Sequence, residues 1–307
     1  MVTMAFSVSV LVAAGENALM KHTPALCVAL GLGVLFTPFA RAQTNLYVGS
    51  NTPANTLDLT NGTNAYANTY VGYTVEASNN ALGVANAGTL LTNTNNLYVG
   101  YAGSGNSMTV ADGGVVANRQ GYIGFTNTAS NNSVLVTGGG STWTNTYALY
   151  VGYSGSSNNL VISTGGTVAA VYGYIGFTNT SSNNSVLVTG ADSLWTNRDS
   201  IYVGLLGNSN NLVISNGGAV AASDGGYIGA NADSFNNRVL VTGADSIWTN
   251  NFLYVGYEGS SNSLVISNAG TVVNSNGHIG YDSNSTGNTV LVTDGGTWTN
   301  SGILFVG

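Results

Sequence analysis

Asparagine recurs along this chain at a nearly constant interval. Successive members of the series are 25 to 27 residues apart and sit in the same local phrase, Asn-x-apolar-x-apolar. The ten positions are Asn55, Asn80, Asn106, Asn132, Asn158, Asn184, Asn210, Asn237, Asn262 and Asn288. So even a spacing indicates one structural unit repeated along the chain. It also favours a structural function over a catalytic one.

A second series confirms the repeat and divides it into two kinds of unit. An aromatic residue or His, then Val or Ile, then Gly, recurs eleven times. Its glycines are Gly49, Gly72, Gly100, Gly124, Gly152, Gly176, Gly204, Gly229, Gly256, Gly280 and Gly307. The count from each Gly to the next Asn of the first series alternates between 6 and 8. Units A and B therefore alternate, and the true period is a pair of about 52 residues.

Each unit predicts three short β-strands and no helix. In one A unit the β-prone runs are 149–153, 160–163 and 167–171, and Gly, Asn and Ser residues separate them. Sustained 3.6-residue periodicity does not occur in the repeats. Three strands in about 26 residues fit one turn of an all-β parallel solenoid, or β-helix. A propeller is the alternative for repeats of this length, but the similarity at the half-period favours the solenoid.

In a solenoid, equivalent residues lie above one another, so each series predicts a column. The Asn column is expected to form a structural ladder in which each side-chain amide donates to the next carbonyl. The Val or Ile of the second series is expected to face the core. By strand alternation the Tyr before it is then expected to face outward, where it can stack on its neighbours.

Tryptophan occurs only in B units, within the phrase Trp-Thr-Asn. The four residues are Trp143, Trp195, Trp248 and Trp298, and Leu91 takes their place in the earliest B unit. The column either fills the core or lines an outer groove. Packing is the favoured interpretation, and the groove would make these four residues a candidate binding face.

Residues 1–42 have the features of an N-terminal extension and a signal peptide. Lys21 precedes an apolar stretch, and Ala40-Arg41-Ala42 is a cleavage signal before Gln43. Met20 is the favoured initiator, with residues 1–19 an over-extended start; an unusually long signal peptide is the alternative. The apolar stretch is shorter than the ~20 residues of a membrane span. We therefore expect an exported mature chain, 43–307, without a membrane span.

Composition excludes several classes of partner. After position 42 there are three Arg, no Lys and eleven carboxylates. This balance excludes a basic nucleic-acid interface and argues against docking on anionic lipid. The single Cys, Cys27, lies in the signal segment, so the mature chain is expected to form no disulfide.

Groups suited to catalysis are scarce. One His, His278, follows position 42, and it occupies a Tyr position of the second series. Without Cys the repeats offer no His/Cys metal cluster and no nucleophilic triad. Asp192 and Asp245, equivalent residues two turns apart, are expected about 10 Å apart, near the separation in an inverting glycosidase. Turn capping explains them more simply.

Aspartate before two glycines is a further candidate motif. It occurs at Asp112, Asp224 and Asp294. These residues are either turn corners or weak calcium ligands, and turns are favoured because the glycine-rich calcium nonapeptide is not present. No cofactor or metal is expected.

The phrases LYVGYSGSSNNLVIS, GGTV and NNSVLVTGADSLWTN resemble the repeats of bacterial autotransporter (type V secretion) passenger regions and PEP-CTERM-associated exported proteins. The resemblance covers nearly all of residues 44–307. It implies a right-handed parallel β-helix at the cell surface or outer membrane of a Gram-negative-type bacterium, or outside the cell. Such proteins typically carry a C-terminal translocator barrel or sorting anchor. This sequence stops within a strand phrase, so we expect it to be truncated at its C-terminus.

Two functions follow as expectations. The first is a non-enzymatic, adhesin-like passenger region that forms a β-helical stalk, with surface glycans or proteins of host or neighbouring cells as partners. The alternative is a polysaccharide-acting β-helix enzyme, of glycoside hydrolase or lyase type. A polysaccharide-cleaving activity that depends on Asp192 and Asp245 would distinguish the second from the first.

Overall fold

The computed structural model describes residues 44–307. The predicted initiator Met20, the signal peptide and the cleavage after Ala42 lie outside the described residues. Within 44–307 there is no helix, and so none long and apolar enough to cross a membrane. The whole described segment consists of short strands joined by turns.

The described residues form 29 strands. In chain order they are β1 (Leu46–Val48), β2 (Thr56–Leu59), β3 (Thr63–Tyr66), β4 (Thr69–Val71), β5 (Ala81–Ala85), β6 (Leu90–Asn93), β7 (Asn96–Val99), β8 (Ser107–Ala111), β9 (Val115–Ile123), β10 (Ser133–Thr137), β11 (Thr142–Val151), β12 (Asn159–Ser163), β13 (Thr167–Ala170), β14 (Tyr172–Ile175), β15 (Ser185–Thr189), β16 (Leu194–Asn197), β17 (Ile201–Val203), β18 (Asn211–Ser215), β19 (Ala219–Ala222), β20 (Gly225–Ile228), β21 (Arg238–Thr242), β22 (Ile247–Thr249), β23 (Phe252–Val255), β24 (Ser263–Ser267), β25 (Thr271–Asn274), β26 (Asn276–Ile279), β27 (Thr289–Val292), β28 (Thr297–Asn300) and β29 (Leu304–Val306).

The strands stack into a parallel β-solenoid with three faces. Face 1 is a sheet of ten strands: β2, β5, β8, β10, β12, β15, β18, β21, β24 and β27. The other nineteen strands form faces 2 and 3, which are continuous because β9 and β11 each run through the corner between them. All pairings are parallel, between strands one turn apart, so the predicted all-β solenoid is confirmed. Ten turns at ~4.8 Å make a rod roughly 50 Å long.

Strand register places equivalent residues of the repeats directly opposite one another. Tyr47 pairs with Tyr70 on face 3, and Val134 pairs with Leu160 on face 1. Along most strands, burial alternates between partly exposed and buried residues. The inner residues of all three faces form one continuous apolar core. The Val/Ile column belongs to this core, as expected, down to Val255. In the last described turn Val306 is exposed.

The tryptophans belong to the core, so the candidate binding face was wrong. Trp143, Trp195 and Trp248 are completely buried, and Trp298 is partly buried and packed against the core. They alternate in register with small β-branched residues of the A turns, such as Val168 opposite Trp195. An indole on the inner side of a strand has no access to a ligand, and its burial explains the residue better than an outer groove does.

A glycine of the same B unit makes room for each indole. Gly173 lies under Trp195, where a Cβ would come within 2.7 Å of Cζ2 of the ring. Gly121, Gly226 and Gly277 relate in the same way to the other tryptophans. In the A turns a Leu or Ile occupies the glycine position. Large and small residues therefore exchange places between the two columns from turn to turn, and this keeps the interior filled.

The first B turn departs from this pattern at the Trp position and at the glycine position together. Leu91 replaces Trp, and Thr69 replaces the glycine of the same unit. Both residues are buried. Thr69 Oγ1 donates a 2.6 Å hydrogen bond to Asn93 Oδ1. A smaller apolar side chain thus goes with a larger residue beneath it, which indicates that the two positions share one volume.

We expect Gly173→Thr to lower the melting temperature because the new side chain collides with the Trp195 ring. Overpacking of this kind costs about 1–3 kcal/mol. The double variant Gly173→Thr/Trp195→Leu reproduces the Thr69/Leu91 pair and should recover part of that loss. Thermal unfolding followed by circular dichroism measures both. If the effects of the two substitutions on the melting temperature simply added, the two positions would not share one volume.

Candidate functional site

The asparagine column forms a hydrogen-bonded ladder along one corner of the solenoid. Asn158 donates from its backbone N and from Nδ2 to Asn184 Oδ1, at 2.9 and 3.1 Å. Asn184 donates in the same way to Asn210, and the pattern holds from Asn55 to Asn288. The members from Asn80 to Asn262 are fully buried. Each Oδ1 thus accepts two hydrogen bonds from the preceding turn.

At several positions of the ladder, the side-chain amide also donates a second hydrogen bond outside the ladder. Asn158 Nδ2 donates to Ala129 O at 3.2 Å, and Asn210 Nδ2 donates to Ser181 O at 3.3 Å. Asn184 Nδ2 donates to Ser181 Oγ at 3.0 Å. Buried amides that keep all their partners avoid the desolvation cost of unpaired polar groups.

The glycine series accommodates this ladder. Gly124 has a φ of +78°, in the left-handed region, and a Cβ there would overlap Nδ2 of Asn158 in the next turn. Gly176 is related to Asn210 in the same way. Glycine tolerates this backbone and leaves the space that the amide fills. The Asn series and the Gly series of the sequence therefore form one contact, in which each Gly leaves room for an Asn of the next turn.

The tyrosine column is stacked on the outer side of face 3. Neighbouring rings are 4.7–5.1 Å apart between centroids and tilted by 2–12°. The stack runs from Tyr47 to Phe305, and His278 is one of its rings. Burial lowers the pKa of His278. Because the rings lie face to face, only their edges and hydroxyl groups are directed towards solvent.

A second aromatic column, which the sequence analysis missed, packs against the first. It runs through Tyr73, Tyr101, Phe125, Tyr153 and Phe177, with neighbouring centroids 4.9–5.2 Å apart. Its rings meet the first column edge to face, as between Tyr122 and Phe125 at 84° and 5.0 Å. This cover buries Tyr122 to 6% exposure. The signal was the aromatic residue that follows the glycine in most units.

The double column makes the tyrosines hard to ionise. Burial, followed by the neighbouring tyrosines, raises the pKa of Tyr70 to about 12. Burial and nearby tyrosines, with a small opposing effect of Arg119, raise the pKa of Tyr150 to about 12. The pKa values of Tyr122 and Tyr174 are raised for the same leading reason. A phenolate would be charged in a place with little solvent.

The two aspartates considered for catalysis lie at turn corners. Asp192 and Asp245 both have a φ of +63°, and both are exposed. The serine after each one makes the corner contacts: Ser193 Oγ accepts from Gly165 N at 3.1 Å and donates to Thr189 O at 2.8 Å. Aspartate tolerates the left-handed backbone that the corner needs, which accounts for its presence there.

The Asp-Gly-Gly motifs do not share one structural position. Asp112 and Asp294 have left-handed φ values of 51° and 48° and occupy turns, whereas Asp224 lies at the corner before face 3. Among residues 44–307 no group of three or more His, Cys, Asp or Glu side chains is placed to hold a metal ion.

Charged and aromatic side chains meet at the corner between faces 2 and 3. We call this the corner stripe: Arg119, Tyr147, Tyr172, Asp199 and Asp224, on successive turns. The Arg119 guanidinium carbon lies 5.6 Å from the ring centroid of Tyr147, which meets Tyr172 edge to face at 5.7 Å. The Asp199 carboxylate beside Tyr172 raises the pKa of that tyrosine. The repeat pattern is interrupted here, because the residue at this corner differs from turn to turn.

Comparison with known proteins adds little. No protein-family model and no curated protein matches the sequence. A solved structure of a hyper-glycosylated TibA fragment, modified by TibC, is matched at 14% identity over 86% of this chain and 95% of the fragment, with a TM-score of 0.23. A TM-score this low does not establish a common fold.

We expect Asn158→Ala/Asn184→Ala to lower the melting temperature by about 5–10 °C. The double change removes consecutive donors and acceptors and leaves the backbone N and the Nδ2 of Asn132 without their acceptor on Asn158. Each unsatisfied buried group costs about 1–3 kcal/mol. Differential scanning calorimetry is the measurement. Asn127→Ala/Asn179→Ala, at exposed positions, is the matched control and should shift the transition by at most about 2 °C. Equal shifts in the two variants would contradict a ladder that stabilises the fold.

Stability should fall as pH rises from about 10 towards 12. Unfolded tyrosines lose their protons near pH 10, whereas folded Tyr70 and Tyr150 keep theirs to about pH 12. The folded state then binds more protons, so ionisation favours unfolding as pH rises through this range. Absorbance at 295 nm and circular dichroism, followed together, measure ionisation and unfolding. Tyr122→Phe/Tyr174→Phe should flatten the decline, and an unchanged slope would count against the explanation.

Proposed function

We propose that residues 43–307 are an exported, non-enzymatic β-solenoid that acts as a stalk or adhesive surface, in the manner of an autotransporter passenger region. The observation that carries the proposal is the Asn ladder, which continues through every described turn. Buried polar residues in the ladder bond to one another and to the backbone, so they stabilise the register between turns. A rod of this kind suits a spacer or a display surface.

The stability of such a rod rests on non-covalent contacts. Three parallel faces, the Asn ladder and two aromatic columns run along the same axis. Contacts of this type are each modest but repeat at every turn, so they add along the rod. An exported chain without cysteine beyond position 42 needs such a source of stability.

We assign the adhesive contact to the corner stripe. The indoles are buried, and the tyrosine faces are covered by neighbouring rings, so neither can stack on a sugar. At the stripe Tyr147 is 44% exposed beside the Arg119 guanidinium, and the neighbouring Tyr172 lies beside the Asp199 carboxylate. Aromatic surface flanked by charged hydrogen-bonding groups suits a surface glycan, and a protein of a neighbouring cell is the alternative partner.

The first experiment tests export. The chain is expressed from Met20 in a Gram-negative host, and the product outside the cytoplasm is purified and its mass determined. We expect a mature protein that begins at Gln43, and Ala42→Leu should block this processing. Retention of the entire unprocessed chain in the cytoplasm would contradict export.

The second experiment separates binding from catalysis. The mature protein is incubated with a panel of polysaccharides, and both bound protein and released reducing or unsaturated ends are measured. We expect binding without release, and Tyr147→Ala/Asp199→Asn should weaken that binding at least tenfold. The control Asp192→Asn/Asp245→Asn should leave it unchanged. Cleavage that disappears in the control variant would establish the polysaccharide-acting enzyme instead.

A further inference from the structure

Two of the four tryptophans are hydrogen-bonded through an asparagine of the preceding A turn. Trp143 Nε1 donates to Asn118 Oδ1 at 2.7 Å, and Asn118 Nδ2 donates to Asn145 Oδ1 at 2.7 Å. One side-chain amide therefore links the Trp and the Asn of the same Trp-Thr-Asn phrase.

The last described pair of turns repeats this bridge. Trp298 Nε1 donates to Asn274 Oδ1 at 2.6 Å, and Asn274 Nδ2 donates to Asn300 Oδ1. The bridging residue again belongs to the A turn, and it receives from one side chain of the phrase and gives to the other. The arrangement thus occurs at the first and at the last tryptophan of the column.

In the two middle pairs an alanine stands where the bridging asparagine would be. Ala170 pairs in register with Asn197, and Ala222 is its equivalent before Trp248. Both alanines are buried, at 3% and 5% exposure. A methyl group can neither accept from an indole N–H nor donate to an amide oxygen.

The polar atoms that face these alanines have no partner among the described residues. They are Trp195 Nε1, Trp248 Nε1, and both the Oδ1 and Nδ2 atoms of Asn197 and Asn250. All four side chains are at least nine-tenths buried. Buried polar atoms are nearly always paired, since an unpaired one keeps its full desolvation cost.

We propose that the interior of the solenoid contains two built water sites, one beside Ala170 and one beside Ala222. In each site a water molecule accepts from the indole Nε1 and bonds to the carboxamide of the Trp-Thr-Asn phrase. The water takes the place that the amide of Asn118 or Asn274 fills elsewhere. The difference between Asn and Ala is one carboxamide group, which is close to the ~30 Å³ that a water occupies.

The hydrogen-bonding pattern selects water over other small ligands. Indole Nε1–H is only a donor, so the ligand must accept, which excludes a metal cation. The carboxamide oxygen is only an acceptor, so the ligand must also donate, which excludes a simple anion. No carboxylate or cation belongs to either set of facing groups. A neutral molecule of one heavy atom that donates and accepts meets these conditions.

The test replaces each water by the side chain used in the other turns. Oxygen-17 magnetic relaxation dispersion counts long-lived internal waters, and we expect Ala170→Asn/Ala222→Asn to lose two of them and to melt at a higher temperature. Ala169→Asn/Ala221→Asn, at neighbouring outward positions, is the matched control and should lose none. A crystal structure of the wild-type protein should show density bonded to Trp195 Nε1 and Trp248 Nε1.

A reverse variant keeps the test decisive if the asparagine variant does not fold. Asn118→Ala removes one bridge and should gain one long-lived internal water. The sites are disproved if Ala170→Asn/Ala222→Asn folds and keeps the wild-type number of internal waters. They are equally disproved if Asn118→Ala gains none, or if a well-resolved crystal structure shows no density beside Trp195 and Trp248.

Discussion

The Asn ladder is the contact on which the repeat depends. A carboxamide can donate and accept along one axis, so the same residue placed at each turn satisfies the turn before it and the turn after it. Asn158 Oδ1 and Nδ2 illustrate this, since they bond to the preceding and following turns. Any change in the number of residues between ladder positions has to be absorbed by the loops that join these positions. The alternation of 6 and 8 residues after the glycine is absorbed in this way, by loops of two lengths.

A second regularity explains why the units come in pairs. The indole of a B turn needs the glycine beneath it, and the Leu of an A turn lies in register with that glycine. The substitution of Thr69 and Leu91 for glycine and tryptophan in the same place shows that the two columns change together. Loss or gain of a single turn would put large residues over large ones. The unit of packing is therefore the pair of about 52 residues rather than the single turn.

The sequence predicts the fold well because spacing and strand alternation are sufficient for it. Val and Ile columns, tyrosine stacking and the three strands of each turn follow from those two rules. Alternation alone does not show whether Trp195 is inside or outside, because it does not show which side of the strand faces the core. Side-chain direction after the glycine could not be inferred either, because a positive φ at Gly124 reorients the chain before Phe125. The bridge from Trp143 to Asn118 depends on register between turns, which only the structure supplies.

Repetition limits where such a rod can recognise anything. A ring stacked between two others at about 5 Å has both faces covered. The polar atoms of the buried ladder are bonded to one another and to neighbouring protein groups, so they are not free to bind a ligand. Surfaces made only of columns are uniform along the axis, so they offer a ligand no particular position. Specific recognition needs a place where the columns lapse. At the corner stripe successive turns carry Arg, Tyr, Tyr, Asp and Asp instead of one repeated residue. The irregular sequence of this corner in an otherwise strict repeat is therefore the physical reason for the proposed adhesive contact there.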